Sequence, residues 1–483
     1  MKTVFFLLTL TVAVSACARP ASERSVVEEA AAALGGAQRI RELRSFVFHA
    51  TGSAPNAGQN RMPDDALPVW KIHEYVRLVD VAQLRSRVNQ TREAQFLFAG
   101  DLVQEQTQGV AGDIAWNEAP GGKSRTRLAL AAAKDRRLEL LHHPITILHE
   151  ALDPGAEIKN VRAEGNDDLV DITTPLGDEV TLAVDRSTHL PTRVISMASN
   201  PNMGDVAIVT TFADYKDVFD FKMPHRLTTK MEKYLQLDLQ VGDYFIEPAA
   251  GVRVPPDVES APVPDPAPVV VTSQPVAKGI WWLAGSGNHR SIVFEFDDHL
   301  VLFEAPLNEA RTKAVIDKAR TLSPKPLTAA IVSHHHFDHS GGLRVAVAEG
   351  LTIITHRANE AFFKDLLARR HTIVPDALAN NPREAIFQFV DDSLTLKDTS
   401  MEVQLFHLLD NPREGTNLFA YVPRDRILVQ ADLYDATWLR HSWGQNVLQN
   451  IERRGLKVER SVPVHGVIEP FSRMVANIKS KPG

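Results

Sequence analysis

The chain has 483 residues, of which 44% are hydrophobic and 23% are charged, and its formal net charge is −7. This length is too great for one hydrophobic core and predicts two or three domains of ordinary soluble composition. The small net charge argues against a dedicated nucleic-acid-binding protein. Beyond the N-terminal segment, no apolar run is long enough to span a membrane.

The first residues resemble a bacterial export signal. Lys2 is followed by the apolar run Val4–Val14, which is too short for a stable transmembrane helix. The tetrad Val14–Cys17 resembles a lipobox, in which Cys17, the only cysteine, becomes the lipidated first residue. This predicts a signal peptide at 1–17 and a lipid-anchored protein of the periplasm or outer membrane of a bacterium. Ordinary cleavage around Ala16–Ala18, which would release a free periplasmic protein, is the alternative.

Residues 43–245 consist of short alternating runs broken by turns, such as Ser45–His49, Val180–Val184 and Lys233–Leu239. Period-2 alternation predicts a mainly antiparallel sheet with one solvent-facing side, with a helix near Asp135–Leu141. We therefore predict a β-rich N-terminal domain at 18–247. Its texture resembles the curved sheets of periplasmic lipoprotein carriers, which hold acyl chains, and a generic spacer or lid domain is the alternative.

Eight prolines between Pro248 and Pro275 indicate an extended linker at 248–276, because such a segment cannot build a core. In the remaining residues, 277–483, strands alternate with helices, as in an α/β sandwich. One example is a helix that Asn308 can cap and that continues to Arg320.

A cluster of histidines follows the buried strand predicted at Leu327–Val332. His334 and His336 project to the same side of an extended segment, Asp338 keeps that parity, and His339 follows in the turn. These nitrogen and oxygen donors suit zinc, and with more carboxylate they suit iron or manganese. A polar loop rich in histidine is the plain alternative, but His-x-His-x-Asp-His before Gly-Gly favours a metal site.

This motif resembles the signature of the metallo-β-lactamase-fold hydrolases. The resemblance implies an αββα sandwich with one or two metal ions at one edge. It also implies ligands further along the chain, namely Asp432 as a bridging carboxylate and His465 as the last ligand of the site that holds Asp338 and His339. Taken alone, Asp432 is as readily a turn cap and His465 a core histidine.

The sequence departs from the family pattern at Arg413, where a third histidine would join His334 and His336. A guanidinium has no lone pair and cannot ligate a metal. The first site is then empty or weak, or Asp410 or His407 replaces the histidine, or Arg413 binds an anionic group of the substrate.

These features predict a metal-dependent hydrolase of a small-molecule ester, lactone, amide or related bond, with Asp338 as the catalytic residue that orients the nucleophile. Tyr434 is a candidate for binding the substrate together with Arg413. Two alternatives remain: a non-catalytic lipid- or partner-binding envelope lipoprotein with a degraded hydrolase domain, and an iron-dependent oxidoreductase.

Overall fold

The computed structural model describes residues 22–97, 102–246, 251–265, 268–438 and 440–481. The predicted signal peptide and Cys17 therefore lie outside the described residues. Within the described residues, no helix is long and apolar enough to cross a membrane.

The described part of the N-terminal domain contains a thirteen-stranded antiparallel sheet. Its strands are β1 Ser45–Pro55, β2 Val69–Asp80, β3 Arg85–Gln95, β4 Val103–Ala111, β5 Ile114–Glu118, β6 Arg125–Arg127, β7 Glu157–Glu164, β8 Asp167–Thr173, β9 Glu179–Asp185, β10 Pro191–Asn200, β11 Gly204–Val218, β12 Phe221–Met231 and β13 Tyr234–Ile246. Strands adjacent in sequence pair with each other, apart from β6 and β7, which form the two edges. Pairing of β1 with β13 brings the first and last strands together in the middle of the sheet.

Helices cover one side of this sheet. They are α1 Glu23–Ala33, α2 Ala37–Glu42, α3 Leu130–Leu140 and α4 Pro144–Ala151. Apolar side chains of α1 and α4 share a buried cluster with strand residues such as Phe46 and Phe48, whereas His49 and Thr51 on the same strand are exposed. The predicted antiparallel sheet with one solvent-facing side is thus confirmed, and the helix expected near Asp135–Leu141 is α3.

The proline-rich segment contains two short elements, α5 Pro256–Glu259 and β14 Thr272–Ala277. Val252 and Val258 are buried against Trp116 of the N-terminal sheet, because both are apolar and lie beside its indole. The last residues of the predicted linker pair with the next strand of the C-terminal domain. Pro248 and Pro266 lie outside the described residues.

The C-terminal domain has two sheets packed face to face. The first has the strand order β14, β15 Ile280–Ala284, β16 Arg290–Glu295, β17 Leu300–Phe303, β18 Leu327–Ile331, β19 Thr352–His356 and β20 Phe387–Val390. The second has the order β21 Ser393–Lys397, β22 Glu402–His407, β23 Leu418–Val422, β24 Ile427–Gln430, β25 Arg460–Pro463 and β26 Glu469–Pro470. Side chains of both sheets, among them Phe294 and Val429, form one fully buried cluster.

Helices flank both sheets, which gives the αββα arrangement. They are α6 Glu309–Arg320, α7 Phe337–Ser340, α8 Leu343–Ala348, α9 Glu360–Ala368, α10 Ala377–Asn380, α11 Gly444–Arg453 and α12 Phe471–Ser480. The helix predicted to begin after Asn308 is α6, and the Asn308 side chain accepts a hydrogen bond from the Arg311 amide, as a helix cap does. The predicted fold class is confirmed.

The two domains meet at one end of the large sheet. Met203 and Val206, at the β10–β11 turn, belong to the same buried cluster as Phe363 of α9 and residues of α8. The Asp205 carboxylate accepts hydrogen bonds from the backbone amides of Thr372 (2.8 Å) and Ile373 (3.0 Å). The β1–β2 connection, residues 56–68, makes a second contact between the domains, because it reaches His336 of the histidine motif.

Candidate metal centre

The histidine motif lies at the carboxyl end of β18, a buried strand between the parallel strands β17 and β19. The chain leaves the strand through Ser333–His336 and turns at once into the short helix α7, which carries Asp338 and His339. An edge of this kind is where α/β sheets place ligand-binding side chains.

Two groups of donor atoms meet at this edge and share one carboxylate. In each group the donor atoms all lie within 4.8 Å of one another. We call them group 1, with His334, His336, Glu414 and Asp432, and group 2, with Asp338, His339, Asp432 and His465. Every ligand predicted from the sequence falls in one of the groups, and Glu414 is an addition.

Group 1 is fully enclosed. The His336 Nδ1 atom lies 2.9 Å from Glu414 Oε1, and the His334 Nε2 atom lies 3.6 Å from Glu414 Oε2 and 3.8 Å from Asp432 Oδ2. The side chains of His334 and His336 are completely buried.

Group 2 is partly open to solvent through Asp338, whose side chain is 24% exposed. The Nε2 atoms of His339 and His465 lie only 3.1 Å apart. Both also approach Asp432 Oδ1, at 3.2 Å and 3.0 Å. Two ring nitrogens this close, beside carboxylate oxygens, form a cage suited to one cation.

Each ligand histidine faces its group with one nitrogen and a different partner with the other. His336 Nε2 donates to the Asn60 carbonyl (2.8 Å), and His465 Nδ1 donates to the Asn288 carbonyl (2.6 Å). His334 Nδ1 lies 2.9 Å from Ser333 Oγ, and His339 Nδ1 lies 3.5 Å from the buried Glu304 Oε1. Such outer partners fix the ring orientation and leave the other nitrogen's lone pair for a metal.

The donor set fits a divalent metal ion. His334 Nε2, His336 Nδ1 and both carboxylate oxygens of Glu414 are buried without a hydrogen-bond partner. Buried polar atoms are normally paired, and leaving one unpaired costs on the order of 1–3 kcal/mol. A cation bound among these atoms would satisfy all of them. Mixed imidazole and carboxylate donors suit zinc, and the carboxylate share also permits iron or manganese.

The pKa values of His334 in group 1 and His339 in group 2 are shifted in opposite directions. Burial lowers the pKa of His334 well below its ordinary value, and the neighbouring His339 and His336 add to this. Burial also acts to lower the pKa of His339, but the carboxylates of Asp338 and Asp432 raise it well above. Burial opposes ionisation of Asp432, yet His339 and Arg413 hold its pKa well below the usual range.

Glu414 supplies the donor that the sequence analysis did not find. The loop places Arg413 beside the shared carboxylate, with Nη2 donating to Asp432 Oδ2 at 2.7 Å, and its neighbour Glu414 faces His336. Neither Asp410 nor His407 replaces the histidine: Asp410 is exposed beside Arg453, and His407 Nε2 donates to the Gly415 carbonyl. The sequence contains a signal for this donor, because a residue with a carboxylate, Glu414, directly follows Arg413.

Tyr434 is buried, and its hydroxyl accepts a hydrogen bond from Asn477 of α12 (2.6 Å). It packs in one buried cluster with Met474 and Ile478 of α12, and its predicted role in binding the substrate stays a prediction. Trp443 supports the centre, donating from its indole nitrogen to the Asp432 carbonyl (2.8 Å). Asp432 and Glu304 both have positive φ, 59° and 83°, an uncommon conformation that occurs at functional sites.

Two residues near group 2 were not predicted. His289 Nε2 lies 3.6 Å from Asp338 Oδ2, and its ring packs edge-on against His465 at 4.8 Å. Glu304 is completely buried behind His339. Both lie in turns that bear no local motif, so only the fold brings them to the centre.

Comparison with known proteins agrees with this geometry. Residues 284–409 match the model of the Metallo-beta-lactamase superfamily, and the C-terminal domain has the fold of that superfamily. The matched range includes the histidine motif and ends before Arg413, Glu414, Asp432 and His465.

Similar solved structures include a metallo-beta-lactamase from Pontibacter korlensis, with 15% identity and a TM-score of 0.35, covering 43% of this chain and 97% of that one. Another is the metallo-beta-lactamase FIM-1 from Pseudomonas aeruginosa in its mono-zinc form, with 16% identity, a TM-score of 0.35 and coverage of 44% and 96%. At these scores the similarity supports no inference about activity. No curated protein sequence matches the chain.

Proposed function

We propose that the protein is a metal-dependent hydrolase that cleaves an ester, lactone, amide or related bond of a small molecule. The observation that carries this proposal is the pair of donor groups joined by Asp432, with buried nitrogens and oxygens of group 1 that make no hydrogen bond of their own. A second carboxylate at Glu414 weakens the alternative of a degraded enzyme, since group 1 has four donors despite Arg413.

Bound zinc would supply Lewis acidity and a water whose pKa falls to about 7, so that hydroxide is available at neutral pH. The residues of the chain hold and orient the reacting groups. Asp432 contributes one oxygen to each group, and Arg413 fixes its orientation through a 2.7 Å hydrogen bond. Asp338 stands on the open side of group 2, where it can accept a proton from the nucleophile and meet the substrate.

The test combines metal analysis with a hydrolase screen on the full-length protein. We expect about two zinc ions per chain and hydrolysis of at least one class among lactones, β-lactams, thioesters and phosphate or sulfate esters. Asp338→Asn should abolish that activity, because the amide cannot accept a proton. The matched control is Asp410→Asn, an exposed aspartate of the neighbouring loop. A wild-type protein that binds no transition metal would refute the proposal.

We further propose that the enzyme is exported and anchored through a lipidated Cys17. The support is the lipobox-like tetrad before the only cysteine of the chain. Metabolic labelling with a fatty acid should mark the wild-type protein and leave Cys17→Ser unmarked. Equal labelling of both proteins would contradict the anchor.

A cavity favours a second function for the N-terminal domain, namely binding of an apolar ligand. The cavity has a volume of about 480 Å³ and lies between α3 and the inner side of the sheet, within the size range of ligand pockets. Alternate residues of the strands form its apolar floor, among them Ile208, Leu237 and Leu239. Of the charged residues of α3 at its rim, Glu139 pairs with Arg77 at 2.8 Å.

A fluorescent fatty acid tests this second function. Leu237→Asn places an amide in the apolar floor and should weaken binding about 10-fold. Leu235→Asn is the matched control, because Leu235 lies on the same strand but lines a different cavity, on the far side of the register shift in the β12–β13 pairing. Equal affinities of the two variants would exclude the cavity as the binding site.

A further inference from the structure

The β1–β2 connection of the N-terminal domain, residues 56–68, reaches the metal centre of the C-terminal domain. We call it the 56–68 loop. The Asn60 carbonyl accepts the hydrogen bond from His336 Nε2 at 2.8 Å, and the Arg61 carbonyl accepts one from the Gly415 amide at 2.9 Å. Arg61 Nε also donates to the Asn411 carbonyl at 3.1 Å. The loop is thus bonded on both sides of the Arg413–Glu414 pair.

The shapes of the two surfaces match at two glycines. A Cβ atom on Gly58, whose φ is +71°, would lie 2.7 Å from the Phe337 ring. A Cβ atom on Gly415 would lie 2.2 Å from the sulfur of Met62. At Gly58 both the positive φ and the Phe337 ring favour glycine, whereas a side chain at Gly415 would require Met62 to move.

The loop is also fixed from within, because the side-chain amide of Asn60 donates to the carbonyls of Met62 (2.6 Å) and Pro63 (2.9 Å). Asn60 itself is only 4% exposed. Its carbonyl therefore has a defined position behind His336. With Nε2 of His336 committed as a donor, the lone pair of Nδ1 faces Glu414.

Gln59 links Asp338 of group 2 to Arg413 through the two ends of its amide. Its Nε2 donates to Asp338 Oδ1 at 3.2 Å, and its Oε1 accepts from Arg413 Nη2 at 2.9 Å. Arg413 in turn holds the shared Asp432. An amide offers a donor to the carboxylate and an acceptor to the guanidinium at the same time.

We propose that Gln59 and Asn60 are positioning residues of the metal centre, so that the N-terminal domain completes the hydrolase. Asn60 fixes the orientation and tautomer of His336 in group 1, and Gln59 fixes Asp338 in group 2 and Arg413 behind Asp432. The inference rests on the proposed function, since it concerns how the same centre binds its metal.

The first experiment measures zinc affinity of the full-length protein against a chelating dye, together with the absorption spectrum of the cobalt form. Gln59→Ala should weaken zinc binding by about 10- to 100-fold, as loss of an outer partner commonly does. Gln59→Glu preserves the shape of the side chain but places a second negative charge against Asp338. It should therefore also bind zinc more weakly and change the cobalt spectrum, which a mere packing role would not do.

Gln106→Ala is the matched control, because Gln106 is a half-buried glutamine of the same domain whose side chain bonds only to other glutamines of the sheet. It should bind zinc as the wild type does. Unchanged affinity and spectrum in both Gln59 variants would overturn the inference and leave the proposed function intact. A wild-type protein without zinc affinity would instead refute the proposed function, and the inference with it.

A second measurement needs no altered loop. Nitrogen-15 NMR of the imidazoles, with His336 assigned through His336→Gln, reports which ring nitrogen carries the proton. We expect His336 to be protonated at Nε2 in the zinc form. Protonation at Nδ1 would show that the Asn60 carbonyl does not set the tautomer.

Discussion

Buried histidines occur in both domains, but their ring nitrogens have different surroundings. In the N-terminal domain, His142 has Thr210 Oγ1 at 2.9 Å from Nδ1 and Ser196 Oγ at 2.8 Å from Nε2. In the C-terminal domain, Nδ1 of the buried His336 has no hydrogen-bond partner and faces Glu414. A buried histidine with both nitrogens hydrogen-bonded supports the fold, whereas His336 holds Nδ1 beside a carboxylate, 2.9 Å from Glu414 Oε1, where a cation can bind.

The electrostatic surroundings differ in the same sense. Burial lowers the pKa of His142 to about 4, although Glu139 acts in the opposite direction and Arg77 adds to the lowering. Around His339, by contrast, Asp338 and Asp432 overcome burial and raise the pKa well above the ordinary value. The carboxylates of group 2 thus favour positive charge at His339, whereas burial disfavours positive charge at His142.

The largest effect is expected from Asp432→Asn, which removes the oxygen donor common to both groups. We expect both metal ions and all hydrolysis to be lost, since Arg413 would also lose one of its two carboxylate partners, the other being Glu414. Metal content and single-substrate kinetics measure this. Asp317→Asn on the surface of α6 is the control, and retention of two ions by the Asp432 variant would contradict the shared role.

A smaller effect is expected from Glu414→Gln, because Glu414 is a donor of group 1 only, although its Oε1 also lies 3.3 Å from Arg413 Nε. The amide is a weaker metal ligand than a carboxylate, so the metal content should fall from two ions to one. The ion held by Asp338, His339, Asp432 and His465 should remain. If both ions leave together, metal binding at group 1 and metal binding at group 2 are not independent.

Arg413→Lys should have a still smaller effect. Arg413 Nη2 donates to both Asp432 and Gln59, and its Nε lies 3.3 Å from Glu414 Oε1. Lysine keeps the positive charge near Asp432 but has no second nitrogen to face Glu414. We expect zinc affinity to fall about 10-fold, with both ions still bound at saturation. Zinc titration checks this, and wild-type affinity would show that charge alone is sufficient.

His142→Gln should leave the metal centre unchanged and alter only the pH dependence of stability. Because the pKa of His142 is depressed in the folded state, the unfolded chain takes up a proton first as the pH falls below about 6.5. The wild type should therefore lose stability, on the order of 3 kcal/mol from this group, between about pH 6.5 and pH 4.

The variant should lose less over that range. Thermal unfolding at pH 7 and pH 4.5 measures the difference, and zinc content at pH 7 is the control. An equally steep pH dependence in both proteins would mean that other groups cause the acid sensitivity.

Much of the fold could be predicted because local patterns agree with it. Alternation in Ser45–His49 and Val180–Val184 predicted strands that pair with their sequence neighbours, and Asn308 marked the start of α6. The pairing of β1 with β13 could not be predicted, because it joins residues about two hundred positions apart without a local signal.

The site shows the same limit. A compact motif identified His334, His336, Asp338 and His339, and strand ends with a family resemblance identified Asp432 and His465. Glu414 was not predicted because it lies one residue beyond the position of the family's histidine, which Arg413 occupies. Gln59 and Asn60 could not be found, because their contribution depends on docking of two domains and, for Asn60, on a backbone carbonyl that any residue possesses.

The pairing of β1 with β13 also determines where the segment that connects the two domains leaves the sheet. Ile246 lies opposite Phe46, at the start of β1. The 56–68 loop follows the other end of β1, and a strand of 11 residues is about 36 Å long. The polypeptide that joins the halves and the contacts that bind them are therefore at opposite ends of the sheet. A protease that cuts between Ile246 and Thr272 should leave a nicked protein whose two fragments stay together.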